Sequence, residues 1–473
     1  MSELDYNFSG RDYTARFEAL ITRLREEVPQ LTDLNHSDAG ISILRLLARE
    51  SDQLAFYIDE AFREGYVELA RFMQSLIDIA KTVDILPKIT SSAQNTLTLT
   101  RKPNFSDQLL IPRFSSFTRP DGVTYLVDQD VTLPVDEESI DAEVTQGTLV
   151  TLSLEPGDFE ISEITGRAQY NLGANVAAGT VAIWHGETPT YWTEIDSFWR
   201  SLSTDYHFRL ELFAEPVNNE FNTVYLVLGD GVEGKQLPPS TLSVQFLRTA
   251  AENGNAGYGM ITGVPSDLIE KITATNGDPA TGGGPVESIS DFRRRIPRVV
   301  QTQRRGLTTT DYEALIESIA GVKHCQALDR NYGSQYPHLY MKLFIVSEGG
   351  GPMSDQLEIL ITAKCCDWGH LGAWTGRYII SDAVEVPVNI TCRIGIVAGY
   401  SSQAVISAVQ AALTSLLSTN SQIIAGTLSY SDIHSTALSV AGVSWADIDL
   451  PLADVSAGNG EILTAGTMTV TAA

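Results

Sequence analysis

The chain lacks any uninterrupted apolar run near the roughly 20 residues that a bilayer-crossing helix needs, so a soluble protein with no membrane partner is expected. It is short of bases: 32 Lys and Arg stand against 59 Asp and Glu, for a formal net charge of −27. Such an excess excludes general affinity for nucleic acid or anionic lipid and leaves other proteins as the expected partners. Its four cysteines, Cys325, Cys365, Cys366 and Cys392, all fall in the last third with no C-x-x-C spacing. Buried thiols in a reducing compartment are expected, in place of a disulfide framework or a zinc site. The opening Met1-Ser-Glu-Leu-Asp-Tyr6 has neither a basic start nor an apolar segment, so no secretory signal is read there and synthesis in the cytoplasm is expected.

Catalytic signatures are also missing. No His-Glu-x-x-His, Gly-x-Ser-x-Gly or Walker-type loop occurs. Gly254, Gly257 and Gly259 miss the dinucleotide spacing, and Gly282, Gly283 and Gly284 run into Pro285, which suits a loop better than a phosphate cradle. His324 and Cys325 are neighbours on a strand pattern and so point to opposite faces. The turn Leu228-Gly-Asp-Gly231, followed by Gly234, offers too few oxygens for an ion and reads as tight-turn chemistry. No catalytic, cofactor-binding or metal-ligating residue is assigned, and a non-enzymatic role follows.

What is present is organised around residues 276–322. A Gly- and Pro-rich loop to Pro285 is followed by Ser288-Ile-Ser-Asp291 and an apolar face of Phe292, Ile296, Val299 and Val300, which predicts a helix beginning near Ser290 and kinked or broken at Pro297. A second helix follows, with Thr310 and Glu313 in capping-box spacing, Tyr312, Leu315, Ile316 and Ile319 on one face, and Gly321 as its stop. Arg293, Arg294, Arg295, Arg298, Arg304 and Arg305 reverse the local sign of an acidic chain, and an inter-chain contact with an acidic surface is expected of them.

At 473 residues the chain should hold two to four domains. Residues 1–92 read as helical. Tyr13, Phe17, Leu20, Ile21 and Leu24 share a face ended by Pro29, and a heptad seam runs through Ile41, Leu44, Ala48, Ser51, Ala55, Ile58 and Phe62, widened by Leu47 and Leu54. A three-helix cap closed on itself and a bundle completed by other chains both fit that pattern. Residues 93–275 change to period two and read as a β-rich, wing-like middle domain, with Tyr191–Trp199 and Tyr206–Phe213 left unassigned. Residues 276–322 form the loop and two-helix connector. Residues 323–473 alternate strands with helices over Ser354–Ala363 and Ser402–Leu417 and read as an α+β sandwich that self-associates. The pentapeptides Ser318–Val322 and Ser439–Val443 each follow an aspartate by seven residues, which places two helix-to-strand corners. The fold class is therefore multidomain α+β.

The order of these parts resembles the baseplate J-like family, wedge proteins of contractile-tailed phages and related injection machines. The resemblance is carried by Ser37-Asp-Ala-Gly-Ile-Ser-Ile-Leu44 with Phe56-Tyr-Ile-Asp59, by Ile111-Pro-Arg-Phe114 and Asp121-Gly-Val-Thr-Tyr125, and by Asp278-Pro-Ala-Thr-Gly-Gly283 ahead of Phe292-Arg-Arg-Arg-Ile-Pro297. Thr308-Thr-Thr-Asp-Tyr-Glu-Ala314 and, near the end, Ser431-Asp-Ile433 and Gly460-Glu-Ile-Leu463 continue it. Where the family has Pro-Gly this chain has Ala39-Gly40, and residues 150–220 align with nothing in it. The resemblance implies a structural wedge component that forms a ring around the tail hub and couples host recognition to sheath contraction. It also implies a helical bundle, through Ile41, Leu44, Leu47, Ala48, Leu54, Ile58 and Phe62, shared with a second copy and a smaller wedge protein. Neighbouring wedges, the hub and sheath-proximal proteins are the remaining partners, in a virion tail assembled in the host cytoplasm or in a cytoplasmic injection particle. The alternatives are a tail-associated hydrolase, which should show paired carboxylates, and a host-binding tail protein, which should show β-repeats.

Overall fold

The computed structural model describes residues 12–29, 39–163, 165–186, 188–214, 221–303, 305–329, 341–369, 378–397, 399–418 and 421–472. The loop at Asn35–Asp38 and Arg304 lie outside them. The chain divides into two compact units, Met1–Leu86 with Ala214–Glu220, and Pro87–Phe213 with Phe221–Ala473.

The first unit is helical. Helix α1 (Tyr13–Glu27) starts where the Asp12 carboxylate accepts the Thr14 N–H at 2.9 Å, satisfying one of the amides that a first turn leaves open. Helices α2 (Ala39–Arg63) and α3 (Met73–Lys81) follow. The shortest is the best buried: Met73, Leu76, Ile77 and Ala80 of α3 are fully enclosed, whereas α1 has no buried residue among those described.

The second unit opens with β1 (Gln94–Arg101), β2 (Leu109–Ile111), β3 (Ser116–Thr118), β4 (Thr124–Val127), β5 (Val131–Leu133) and β6 (Ser139–Gln146). Next come β7 (Thr148–Leu154), β8 (Glu160–Ile161), β9 (Ala168–Gly173), β10 (Ala182–His185), β11 (Thr190–Tyr191) and β12 (Thr193–Glu194), and then β13 (His207–Ala214), β14 (Phe221–Leu228), β15 (Leu242–Arg248) and β16 (Ile272–Asn276). The main sheet has the order β16-β1-β6-β4-β3, and its inward residues Leu97, Leu99, Phe117, Tyr125, Val144 and Ile272 form one core. Everything from β7 to β15 is an insertion between β6 and β16, folded as two further sheets, β11-β10-β15-β7 and β12-β13-β14-β9-β8. The turn after β14 closes as its residues require. Asp230 Oδ1 accepts the amides of Val232 and Glu233 at 2.8 and 2.7 Å, and a Cβ on Gly229 would lie 2.4 Å from the Gly234 carbonyl carbon.

Helix α4 (Ile289–Thr302) passes through Pro297 unbroken, with that proline at the exposed surface, and stops at Gln303 in the left-handed region. Helix α5 (Thr309–Ile316) does carry a capping box, but of different residues from those the spacing suggests. Thr308 accepts the Asp311 amide at 3.2 Å and Asp311 accepts the Thr308 amide at 2.9 Å. Thr310 is already inside the helix, and the Glu313 carboxylate instead accepts the Ala327 amide at 3.0 Å. The chain continues through β17 (Val322–Leu328), β18 (Met341–Ser347), α6 (Asp355–Gly369), β19 (Tyr378–Asp382), β20 (Val384–Ile396) and α7 (Ser402–Leu416). It ends with β21 (Thr427–Leu428), α8 (Tyr430–Ser439), β22 (Val443–Leu450), β23 (Val455–Ser456) and β24 (Glu461–Ala472).

These elements make two α+β cores. In one, Tyr312, Ile316 and Ile319 pack with Val322, Cys325, Leu343, Ile361 and Cys365 over the sheet β17-β18-β19. In the other, Val405, Val409 and Leu413 of α7 and Ile433 and Ala437 of α8 cover the sheet β22-β20-β24 through Ile390, Cys392, Ile394, Ile448 and Leu463. Each core has its own sheet and helices, the condition for folding alone. A fragment of residues 383–473 should therefore unfold cooperatively by circular dichroism, while one beginning at 323 should show an additional non-cooperative part, because it lacks the Tyr312–Ile319 side of its first core. Absence of a cooperative transition in the 383–473 fragment would refute that independence.

Candidate interaction surfaces

Helix α2 has two faces. Ile41, Ala48, Ala55 and Asp59 are buried, and this side runs along α1, where Arg16 donates to the Ser51 hydroxyl at 2.7 Å and Arg45 lies over the Phe17 ring. Residues about 100° apart on a helix place Ile43, Leu46, Leu47, Leu54, Tyr57 and Ile58 in a single stripe on the far side. All six are roughly half exposed or more, up to 62 % for Leu46 and 61 % for Leu54. The seam read from the sequence is thus divided. Ile41 and Ala48 face inward, Leu44 is half-buried, and Leu47, Leu54, Ile58 and Phe62 face out. The inward line continues through Asp52 and Asp59, so Ile58 and Phe62 are not on it.

The arginine stretch borders a different site. A cavity of about 230 Å³ is lined by Lys88, Glu287, Asp291, Arg294, Lys323 and Glu348 among others. There Glu287 accepts Nε and Nη2 of Arg295, each at 2.7 Å, and the backbone amide of Lys88 at 3.0 Å. The side chains of that pair are only 3 % and 8 % exposed. Lys88 reaches on to the Val322 carbonyl at 2.8 Å and to Glu348 at 3.8 Å. Burial pushes its ammonium below the usual lysine range, against the pull of Glu287 and Glu348, and burial likewise raises the Glu348 carboxyl. Nearby, burial first and the Lys323 charge second lower His324 to about 4, and its Nε2 has no hydrogen-bond partner among the described residues.

Of the six arginines, Arg295 is spent inside the molecule. Arg298 is half-buried between Glu317 and Glu313, Arg294 is exposed and pairs with Asp291 at 3.0 Å, Arg293 is half-buried, and Arg305 is exposed. Neither Glu287 nor Lys88 was marked by any pattern in the sequence. They are 199 residues apart, and no local spacing could pair them.

The His324 environment yields a signed pH effect. Its folded pKa lies below the ordinary value of 6.5, so the stability it lends is complete above pH 6.5 and is lost as pH falls toward 4. The loss is at most on the order of 3 kcal/mol. Urea unfolding at pH 7 and pH 4.5 should therefore show a larger acid loss in the wild type than in His324→Gln. Equal losses would remove His324 as the cause.

Comparison with known proteins bears on both ends of the chain. The model described as baseplate J-like protein C-terminal domain matches residues 388–471, and that of the bacteriophage baseplate protein N-terminal domain matches residues 12–82. No curated protein matches. Among solved structures, the chain is similar to one in the cryo-EM structure of the anti-feeding prophage (AFP) baseplate, 6-fold symmetrised, at 12 % identity over 96 % of this chain and 90 % of that one, with a TM-score of 0.32. It is also similar to one in the type VI secretion system TssK-TssF-TssG baseplate subcomplex, at 10 % identity over 72 % of this chain and 96 % of that one, with a TM-score of 0.27. The two family models fall on α1 to α3 and on β20 to β24, so the chain carries a baseplate N-terminal domain at one end and a baseplate J-like C-terminal domain at the other, which supports a baseplate component.

Proposed function

We propose that the chain is a wedge subunit that assembles into a ring around the tail hub and couples host recognition to sheath contraction. The observation that carries this reading is the outward stripe of α2. Six large apolar side chains on one helix face exceed what scattered surface residues explain, and they are arranged as a bundle seam. In this reading the stripe is covered by helices of a second copy and of a smaller wedge protein, and the neighbouring wedges, hub and sheath-proximal proteins meet the second unit. Covering the rest of each half-exposed chain is worth about 1 kcal/mol or more. An exposed arginine–carboxylate pair is worth about 0.2–1 kcal/mol. The helix face therefore supplies most of the affinity, and the arginines orient neighbours.

Two measurements test this. Leu54→Asp with Ile58→Asp changes residues already at the surface, so the thermal transition should stay within a few degrees while co-purification with a second tagged copy and with the small wedge protein falls at least tenfold. Unchanged capture would sink the shared bundle. Arg294→Glu with Arg305→Glu should leave dimers and the fold intact but prevent ring closure at physiological salt, as seen by negative-stain microscopy. Normal rings from that variant would exclude the arginines as an inter-wedge contact.

A further inference from the structure

The cavity beside Glu287 holds more base than acid. Two of its arginines are matched one to one, Arg295 by Glu287 and Arg298 by Glu317, with Glu313 a further contact of Arg298 at 4.0 Å from outside the lining. Three of the lining bases then face two lining acids. Asp291 is shared between Arg294 at 3.0 Å and Lys323 at 3.4 Å, and Glu348 stands 3.8 Å from Lys88, too far for a hydrogen bond. An ammonium has three N–H groups to place. Among the described residues Lys88 Nζ has one acceptor, the Val322 carbonyl, and Lys323 Nζ has one, Asp291. Their side chains are 13 % and 15 % exposed, so bulk water has little access to the rest.

The surplus acts on a neighbour. After burial, the groups that disfavour the charged form of His324 are Lys323, Arg294 and Lys88, opposed by Asp291. In a chain of net charge −27 this is a place that draws an anion in. The space, about 230 Å³, is that of roughly seven waters, enough for a compact ion with part of its hydration shell. We propose that this cavity binds a small free oxyanion of the phosphate or sulfate kind, held by Lys88, Lys323 and Arg294. Its oxygens accept from the N–H groups that the protein leaves open, in charge-assisted bonds. An acidic segment of a second copy fits less well. Asp291, Glu317, Glu348 and the net charge of the chain repel such a segment as it approaches, whereas a compact ion brings only its own charge. Bound there, the ion ties Lys88, the segment before β1, to α4 and the start of β17. The site goes beyond the assembly proposed above and does not depend on it.

The experiment uses the full chain at constant ionic strength, with millimolar phosphate replacing part of the chloride. The thermal transition should rise by a few degrees, because the ion binds the folded state. In calorimetric titration with phosphate, Lys323→Gln and the exposed Arg294→Gln should each lose at least tenfold in affinity. Arg305→Gln, which removes the same charge from an exposed site outside the cavity, should lose nothing. Sulfate, which keeps both charges in acid, gives a readout that a merely structural role of these residues would not move. In histidine-labelled protein, with His324→Gln to assign the signal, sulfate should raise the His324 titration from about 4 by roughly half a unit or more, since a nearby anion favours the imidazolium. A response that chloride reproduces, or a His324 titration that sulfate leaves in place, would overturn the site. Stabilisation by a glutamate-rich peptide with none by phosphate would also overturn the small ion and put a partner's carboxylates in its place.

Discussion

One buried carboxylate fixes the geometry of the second unit. Glu287 stands at the start of α4, yet it takes the amide of Lys88 and the Nε and Nη2 of Arg295, while its own amide donates to the Lys88 carbonyl at 3.1 Å. The segment that becomes β1 and the helix that opens the α+β region are thereby locked to each other. Lys88 extends the lock to the first residue of β17 through the Val322 carbonyl. A pair this buried adds little over a well-packed apolar contact, but losing one partner strands a charge and costs about 3–5 kcal/mol. Its value lies in specifying one arrangement of the main sheet against α4 and β17.

The Gly282-Gly283-Gly284 loop is shaped by the same junction. Asn255 holds Gly283 by two hydrogen bonds, its Oδ1 accepting the Gly283 amide at 2.9 Å and its amide group donating to the Gly283 carbonyl at 2.9 Å. A Cβ on Gly283 would sit 2.5 Å from the Ala251 carbonyl oxygen. The glycines are there because backbone must approach backbone, and the loop is docked along its length.

Periodicity made the long elements legible. The faces of α4 and α7, the strand alternation of β1 and the long β20 follow from apolar spacing, since each buries one side in a core, whereas the apolar face of α1 is only partly covered. The insertion between β6 and β16 was legible only in part, because β8, β11 and β12 are two residues long and carry no period. Nor did the seam of α2 reveal which side faced inward. Leu44 and Ile58 are as apolar as Ile41, and only the position of α1 separates them. The arginine stretch was visible as a run of like charge, but Glu287, which removes Arg295 from the surface, is tied to it only through the folded chain.

Why α2 keeps its most apolar side outward is a question of shape and charge. Its inner line is Ile41, Ala48 and Ala55, and the two alanines let a neighbouring helix approach closely. Leu46, Leu54 and Tyr57 in that line would force the helices apart and lose contact along their length. Asp59, 1 % exposed, holds the rotation further, because turning the helix would tear a buried carboxylate from its surroundings. The unit therefore folds on small residues and a polar anchor and leaves the large side chains free. A bundle built in this order cannot satisfy its outer stripe by rearranging internally, and that is the physical basis of the association with other helices that we propose.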